Sequence, residues 1–587
     1  MEKLPDDCLS QVFYFLLDDK TSLHASILVN RKWCKIAINF LWRRPFYFVL
    51  ADKNTINYTF SRRKRTGMLM EVILSCLTSD ENSNNNNIKK IYNLRNSSRA
   101  SRERVIIEKG PIFNYVGFIR QLDLDDLGLA IAEWAEYCCS QDSNINNETS
   151  LQRNVTFATL LSRRITRNSI CKSFKNNKSF IKEIAERICK ILVTKISRID
   201  SLSVKPICLS RCIEPSIIIR DHLVENSVYK NIINEYMGFI TYPGANDCLS
   251  KLLEFSWNSC SRSIQVVKEL SLVTSSVKKI SFDIKNNVEI LVFDAMISLI
   301  AAQTALTDFE ISNFEITNSI LMETLARHMN TLTRLSFNCI NISKSENISI
   351  IMQFKKLEEL EIISCKLESR EPWPLNLENF PNMIVYRIDD VFPTTIAMKD
   401  NNDSMLGNLG TMLNTFVYNQ FQSYNSETTR SIIENIENCT NLTHFECDAE
   451  IDSINLLMPI FLLSTRLQTI IIKNRRRSLD MNEMLRAVRL TRLSHLELEG
   501  YWRFTSDSLE TFLINSNPLL KTLSLHYSNC FEDDHLEVLL RNLSGVLQKI
   551  DLKGMTKRLS FDMRKKAHRI YFSSSLSIST KIKRNNG

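Results

Sequence analysis

One apolar pattern restricts the fold of this chain more than any other feature. The cluster apolar-x-x-apolar-x-apolar recurs at Leu306/Phe309/Ile311, Leu332/Leu335/Phe337, Leu357/Leu360/Ile362, Met383/Tyr386/Ile388 and Leu413/Phe416/Tyr418. It continues at Leu442/Phe445/Cys447, Leu467/Ile470/Ile472, Leu493/Leu496/Leu498, Leu520/Leu523/Leu525 and Leu547/Ile550/Leu552. Successive first positions lie 26, 25, 26, 30, 29, 25, 26, 27 and 27 residues apart. Less regular copies precede them at Ile119/Leu122/Leu124, Ile199/Leu202/Val204, Leu252/Phe255/Trp257 and Val277/Ile280/Phe282. Inside each cluster, apolar and other residues alternate with the period of a short strand. Between clusters there is room for a helix, as at Met322 to Met329, Ser431 to Asn435, Met481 to Val488, Leu509 to Ile514 and Leu536 to Leu543. One such unit cannot bury its own apolar face, but a stack can.

A stack also accommodates the length. At 587 residues the chain is too long for one ordinary core, unless the core grows along one axis. Only 12 Gly and 12 Pro are present, which argues against many tight turns. A period of 25 to 30 residues with this core resembles the leucine-rich repeat. Cys260 and Cys365 stand at that repeat's Asn/Cys position, where a side chain can satisfy backbone groups at the strand exit. The resemblance implies an α/β solenoid with parallel strands on a concave face and helices on a convex face.

A second constraint lies at the N-terminus. Leu9, Val12, Phe13, Leu16 and Leu17 share one helical face, with Pro5, Asp6 and Asp7 suited to its first turn. Thr21 or Ser22 can cap a second helix and Asn30 a third, whose apolar face is Trp33, Ile36, Ala37, Phe40 and Leu41. Three short helices cannot bury all of this surface among themselves, so part of it should meet a partner or the next domain. The ordered set Leu4-Pro5, Leu9, Val12, Leu28-Val29, Arg31-Lys32-Trp33 and Leu41-Trp42 resembles an F-box. That resemblance implies binding of a Skp-type adaptor, and through it a cullin–RING (SCF-type) ubiquitin ligase. Leu4, Pro5, Leu9, Val12, Leu16, Trp33, Leu41 and Trp42 are the adaptor-binding candidates, some of which must hold the helices together instead. F-box and repeats together resemble the F-box/leucine-rich-repeat class of substrate receptors.

The expected organisation is an F-box at 1–45, a connector at 46–115 and irregular leading repeats with polar insertions at 116–250. A regular solenoid at 251–556 and a basic tail at 557–587 complete it. Within the connector, Met68 to Leu77 reads as a helix and the basic cluster Ser61 to Arg65 as a solvated loop. Ser79 to Asn87, Asn93 to Arg104, Ser140 to Asn154 and Ser173 to Ser179 read as polar excursions.

Composition excludes several function classes. No apolar run reaches the roughly eighteen residues that span a bilayer, and Asp6 and Asp7 stand where a signal peptide would be apolar. No membrane partner is expected, and the location is cytoplasmic, nuclear or both. The net charge of +9 sits almost wholly in the tail, where nine Lys and Arg follow Met555 against Asp562. The body is close to neutral, which disfavours a nucleic-acid partner. The 16 Cys include no Cys-x-x-Cys pair, and the eight His form no cluster in sequence, so no metal and no cofactor are expected. No phosphate-binding, zinc-protease or nucleophile-elbow motif is present, and no catalytic residue is assigned.

What remains is recognition. Outward strand positions carry eleven acids against six bases, with Lys279, Arg334, Arg387, Lys473, Lys549 and Lys553 as the bases. Asp308, Glu310, Glu359, Glu361, Glu446, Asp448, Glu497 and Glu499 are the substrate-binding candidates, suited to a protein with a basic segment. The competing expectation is a repeat scaffold outside any ligase, with the N-terminal helices as a plain cap.

Overall fold

In the computed structural model the described residues are 4–50, 58–78, 113–131, 186–204, 239–258, 264–284, 290–342, 350–367, 380–393, 412–419, 439–448, 454–553, 559–565 and 577–581, apart from single positions and pairs within these ranges. The chain divides into two compact units, Met1–Leu306 and Thr307–Gly587.

The first unit opens with three helices, α1 (Asp6–Phe15), α2 (Lys20–Ile27) and α3 (Arg31–Leu41). Asn30 caps α3 as its sequence suggests, its side chain accepting from the Trp33 N–H at 2.9 Å. The cap of α2 is Asp19, which accepts from the Ser22 N–H at 3.0 Å; Ser22 itself donates its hydroxyl to that carboxylate. Leu9, Phe13, Leu23 and Ala37 form the small core. Trp33 and Phe40 meet Phe13 edge-on at 5.4 and 6.0 Å between ring centres, a geometry that suits the quadrupoles of the rings.

Two helices follow, α4 (Pro45–Leu50) and α5 (Tyr58–Thr78). Met68 to Leu77 is helical as expected. The Ser61 to Arg65 cluster is not a loop but part of α5, because its basic side chains are good helix formers. The four polar excursions lie outside the described residues. Strands β1 (Gln121–Asp123), β2 (Ser201–Val204), β3 (Glu254–Asn258) and β4 (Lys279–Asp283) then pair in parallel, each with the next. Helices Ile264–Val273 and Ile290–Ala301 follow β3 and β4.

The second unit repeats this plan. Its main sheet runs β5 (Asp308–Ser312), β7 (Arg334–Asn338), β9 (Glu359–Ile363), β11 (Val385–Asp389), β13 (Thr415–Asn419), β14 (His444–Asp448), β15 (Thr469–Asp480), β16 (His495–Arg503), β17 (Thr522–His526), β18 (Lys549–Lys553) and β19 (Ser577–Lys581), parallel throughout. The two-residue strands β6 (Glu315–Ile316), β8 (Asn341–Ile342), β10 (Lys366–Leu367) and β12 (Phe392–Pro393) form a second parallel sheet. Helices Ile320–Ala326, Asn482–Ala487, Ser506–Ser516 and Asp533–Asn542 fall where four of the five helical runs are expected; Ser431 to Asn435 lies outside the described residues. No described helix is long and apolar enough to cross a membrane. β19 is a difference from expectation: Ser577–Lys581 lies in the stretch read as a solvated tail, yet pairs residue for residue with β18. Alternating Ser-Ile-Ser-Thr there fits a strand, and the net charge of the tail hides it.

All fourteen apolar triplets lie on or directly beside the parallel strands β1 to β5, β7, β9, β11 and β13 to β18, and every one of their side chains is buried. Tyr386, Phe416 and Phe445 stand opposite one another on β11, β13 and β14 and stack at 5.8 and 6.0 Å. Cys365 donates its thiol toward the Phe337 and Ile363 carbonyls at 3.5 and 3.3 Å, the backbone role its position implies. Burial pushes that thiol up to about 12. Cys260 lies outside the described residues.

Two hydrogen-bond ladders link the repeats. The carbonyl just before a strand accepts two N–H groups, from the residue before the next strand and from that strand's first residue. In the second unit Thr307 O takes Thr333 and Arg334, Thr333 O takes Glu358 and Glu359, and the pattern continues to Lys521 O. The other ladder sits at the strand exits. Asn313, Cys339 and Ser364, each one past its strand, adopt φ of 58°, 53° and 52°. Their N–H groups donate to Asn338, Ile363 and Asp389 carbonyls of the next repeat at 2.7–2.8 Å. Left-handed backbone at non-glycine residues is tolerated because each turn is tied to its neighbour.

Candidate functional site

The three-helix domain separates its predicted residues into distinct roles. Leu9 is in the core, and Leu16, Trp33 and Leu41 pack partly buried against it. Trp42 turns away from the helices and lies on Tyr115 at 4.5 Å between ring centres. Leu4, Pro5 and Val12 face solvent. So do four residues that the candidate set lacks: Tyr14, Phe15, Leu28 and Val29, with Phe15 85% and Leu28 73% exposed. The signal was available for Tyr14 and Phe15, which fall off the apolar stripe of α1 and therefore have no core to enter. Lys32 ties the chain start to the α2–α3 turn, donating to the Leu4 carbonyl at 2.6 Å and pairing with Asp6 at 3.0 Å. Leu4 and Leu28-Val29 therefore lie at the same end of the domain.

The same domain holds the first rung of the ladder. The Arg43 carbonyl accepts from both Arg120 and Gln121 N–H groups at 3.0 Å, as Arg120 O does from Asp200 and Ser201 and Asp200 O from Leu253 and Glu254. Side chains reinforce this joint. Asp200 pairs with Arg43 at 2.8 Å and with Arg198 at 2.6 Å, and Arg120 donates to the Gly117 and Ile119 carbonyls at 2.8 Å.

On the open strand face, the eight acidic candidates all lie half-buried in the rows between buried side chains. They do not form one acidic field. Arg334 bridges Glu359 at 3.2 Å and Glu361 at 3.0 Å across β7 and β9. Lys473 pairs with Glu446 at 2.5 Å, and Asn419 donates to the same carboxylate at 2.7 Å. Burial works against ionisation of Glu446, yet hydrogen bonds from His444, Lys473 and Asn419 bring its carboxyl down to about 2. Asp308 accepts from the Thr307 hydroxyl at 2.5 Å.

Three histidines share this face, and no sequence spacing announced them. The strand register lines up His444, Thr469, His495, Thr522 and Lys549 in one row of β14 to β18. The next row is Glu446, Ile471, Glu497, Ser524 and Asp551, and the one after it Asp448, Lys473, Glu499, His526 and Lys553. His495 and His526 lie on either side of Glu497, each 3.4 Å from one of its oxygens. His495 leads in holding the Glu497 carboxyl below its ordinary value, against burial.

Comparison with known proteins bears on the N-terminal helices. Residues 1–47 match the F-box-like family model. No curated protein matches the chain. Among solved structures it is similar to one from the crystal structure of the Rad7 and Elc1 complex in yeast, at 12% identity and a TM-score of 0.34, with 70% of this chain and 98% of that chain covered. The F-box-like domain is thus at once a family match, a helical domain with large apolar side chains left outside, and the first rung of the strand ladder.

Proposed function

We propose that this chain is a non-catalytic substrate receptor of an SCF-type (cullin–RING) ubiquitin ligase. In this reading the F-box-like domain binds a Skp-type adaptor, and a leucine-rich-repeat solenoid holds the protein substrate on its open strand face. The observation that carries it is the set of exposed apolar residues Leu4, Val12, Phe15, Leu28 and Val29 on a domain whose own core is already closed. Large apolar side chains gathered on a small domain mark an interaction surface. The 25-to-30-residue period and the buried triplets support the repeat reading. The contribution to ubiquitin transfer is proximity: a tethered substrate sees the transfer machinery at high effective concentration. Because Arg334 and Lys473 already neutralise Glu359, Glu361 and Glu446, these three carboxylates are the least available to a basic substrate segment.

The test is co-purification of the full chain with a Skp-type adaptor. Phe15→Asp and Leu28→Asp should each weaken binding by about thirtyfold or more, the effect of losing a ~2 kcal/mol interface anchor. Leu272→Asp, at a residue 79% exposed elsewhere, is the matched control and should leave it unchanged. A second reading, a repeat scaffold outside any ligase, is favoured by the Arg43 rung, which gives the helices a capping role independent of any adaptor. Absence of adaptor binding by the intact chain decides for the scaffold. Deleting the first 45 residues is a poor test, because it removes that rung together with the apolar face.

A further inference from the structure

We propose that the open strand face of the second unit carries a site for a divalent transition-metal ion, held by Glu497, Glu499 and His526. One donor atom from each lies within 4.8 Å of the other two. The set is built by register. Glu499 on β16 stands directly opposite His526 on β17, and Glu497 shares their face two residues earlier, opposite the small Ser524. His526 Nδ1 reaches back to Glu497 Oε1 at 3.4 Å, and His495 Nε2 is 3.4 Å from Glu497 Oε2.

These separations are longer than hydrogen bonds, which fall at about 2.7–3.2 Å. The His526–Glu497 separation matches the edge of a tetrahedral site, where bonds of about 2.0–2.2 Å put neighbouring donor atoms roughly 3.3–3.5 Å apart. The imidazole presents Nδ1 to this carboxylate, and His526 is 13% exposed. The Glu499 carboxylate is ready as well. Lys473, across β15 from Glu499, is engaged with Glu446, and Glu499 has no ion-pair partner among the described residues. Imidazole with two carboxylates, and a second imidazole alongside, suits zinc, cobalt, nickel or copper better than magnesium or calcium, which favour oxygen alone. Donors on paired strands are also positioned more rigidly than donors on loops.

The experiment uses the full-length chain without an affinity tag, stripped with a chelator and titrated with Co²⁺. The expected result is one saturable equivalent of visible absorption, without a thiolate charge-transfer band and displaced by Zn²⁺. His526→Asn and Glu499→Gln should each weaken binding by about tenfold or more. Zn²⁺ should also slow hydrogen exchange of residues 495–503 and 522–526 in the unaltered chain, a readout that does not depend on how the variants fold. No saturable binding, thiolate coordination, affinity unchanged in both variants, or no added protection of those strands overturns the site.

Discussion

Gly500 is the position where one added methyl group should do most damage. Its φ is +108°, and a Cβ there would stand 1.6 Å from the Asn474 carbonyl oxygen of β15 and 2.6 Å from the carbon. No side-chain movement can clear that contact, because both atoms belong to the backbone. The strand pair must separate where Asn474 and Gly500 face each other, just before the irregular stretch of β15 that ends at Leu479. The Asn474 side chain, buried and donating to the Tyr501 carbonyl at 3.0 Å, would lose its place too. Backbone strain costs about 1–3 kcal/mol, and one or two lost hydrogen bonds add about 1 kcal/mol each. Gly500→Ala should therefore destabilise the β15–β16 pair by about 2–5 kcal/mol. In hydrogen exchange that corresponds to amides in 469–480 and 495–503 exchanging about 30- to 5,000-fold faster. The control is Gly117→Ala, where the nearest atom to a Cβ is the Asn114 side-chain nitrogen at 3.0 Å, which can move aside. Equal exchange in the two variants would refute the reasoning.

Two further substitutions probe other parts of the molecule. Asp200→Asn leaves the Arg43 and Arg198 guanidinium groups without their carboxylate, and should cost about 2–3 kcal/mol, less than a fully buried pair because Arg43 is partly exposed. Faster exchange at the Arg120 and Gln121 amides, bonded to the Arg43 carbonyl, is the sign to look for; unchanged protection there would count against the joint. Glu446 has a folded-state pKa of about 2 against an ordinary 4.5, so its stabilisation is complete above about pH 4.5 and is lost as pH falls toward 2. Glu446→Gln should lower stability at pH 7 by up to about 3 kcal/mol and flatten the acid limb of the urea-midpoint profile in that window; parallel profiles would refute it.

The apolar triplets made the strands legible because each of their positions is dictated by burial, and burial leaves a trace in composition. Asn30 capping α3 was legible for the same kind of reason, a local rule with a local residue. The site was less so. Leu9 and Phe15 are both apolar residues of α1, and only three-dimensional packing separates the buried one from the exposed one. Asp19 outcompeted Thr21 and Ser22 as the cap of α2 because its carboxylate takes both the N–H and the hydroxyl of Ser22. The grouping of His444, His495 and His526 with Glu446, Glu497 and Glu499 in three adjoining rows is invisible in the linear order. Its members are brought together by register across repeats, so no spacing rule within one segment could find them. Counting acids against bases also misjudged the strand face, since Arg334 and Lys473 lie among the carboxylates they neutralise.

The Arg43 carbonyl has one more consequence. Since it bonds directly to Arg120 and Gln121, everything between them in sequence is a detour that leaves and returns to the same place. Lengthening or shortening residues 79–112 would leave the Arg43 rung between the F-box-like helices and β1 in place. A domain hung on a string searches a volume, whereas one bolted at its first rung holds a single attitude toward β1. On the receptor reading proposed above, an adaptor seated on those helices would meet β1 in one attitude, whatever the length of the intervening segment.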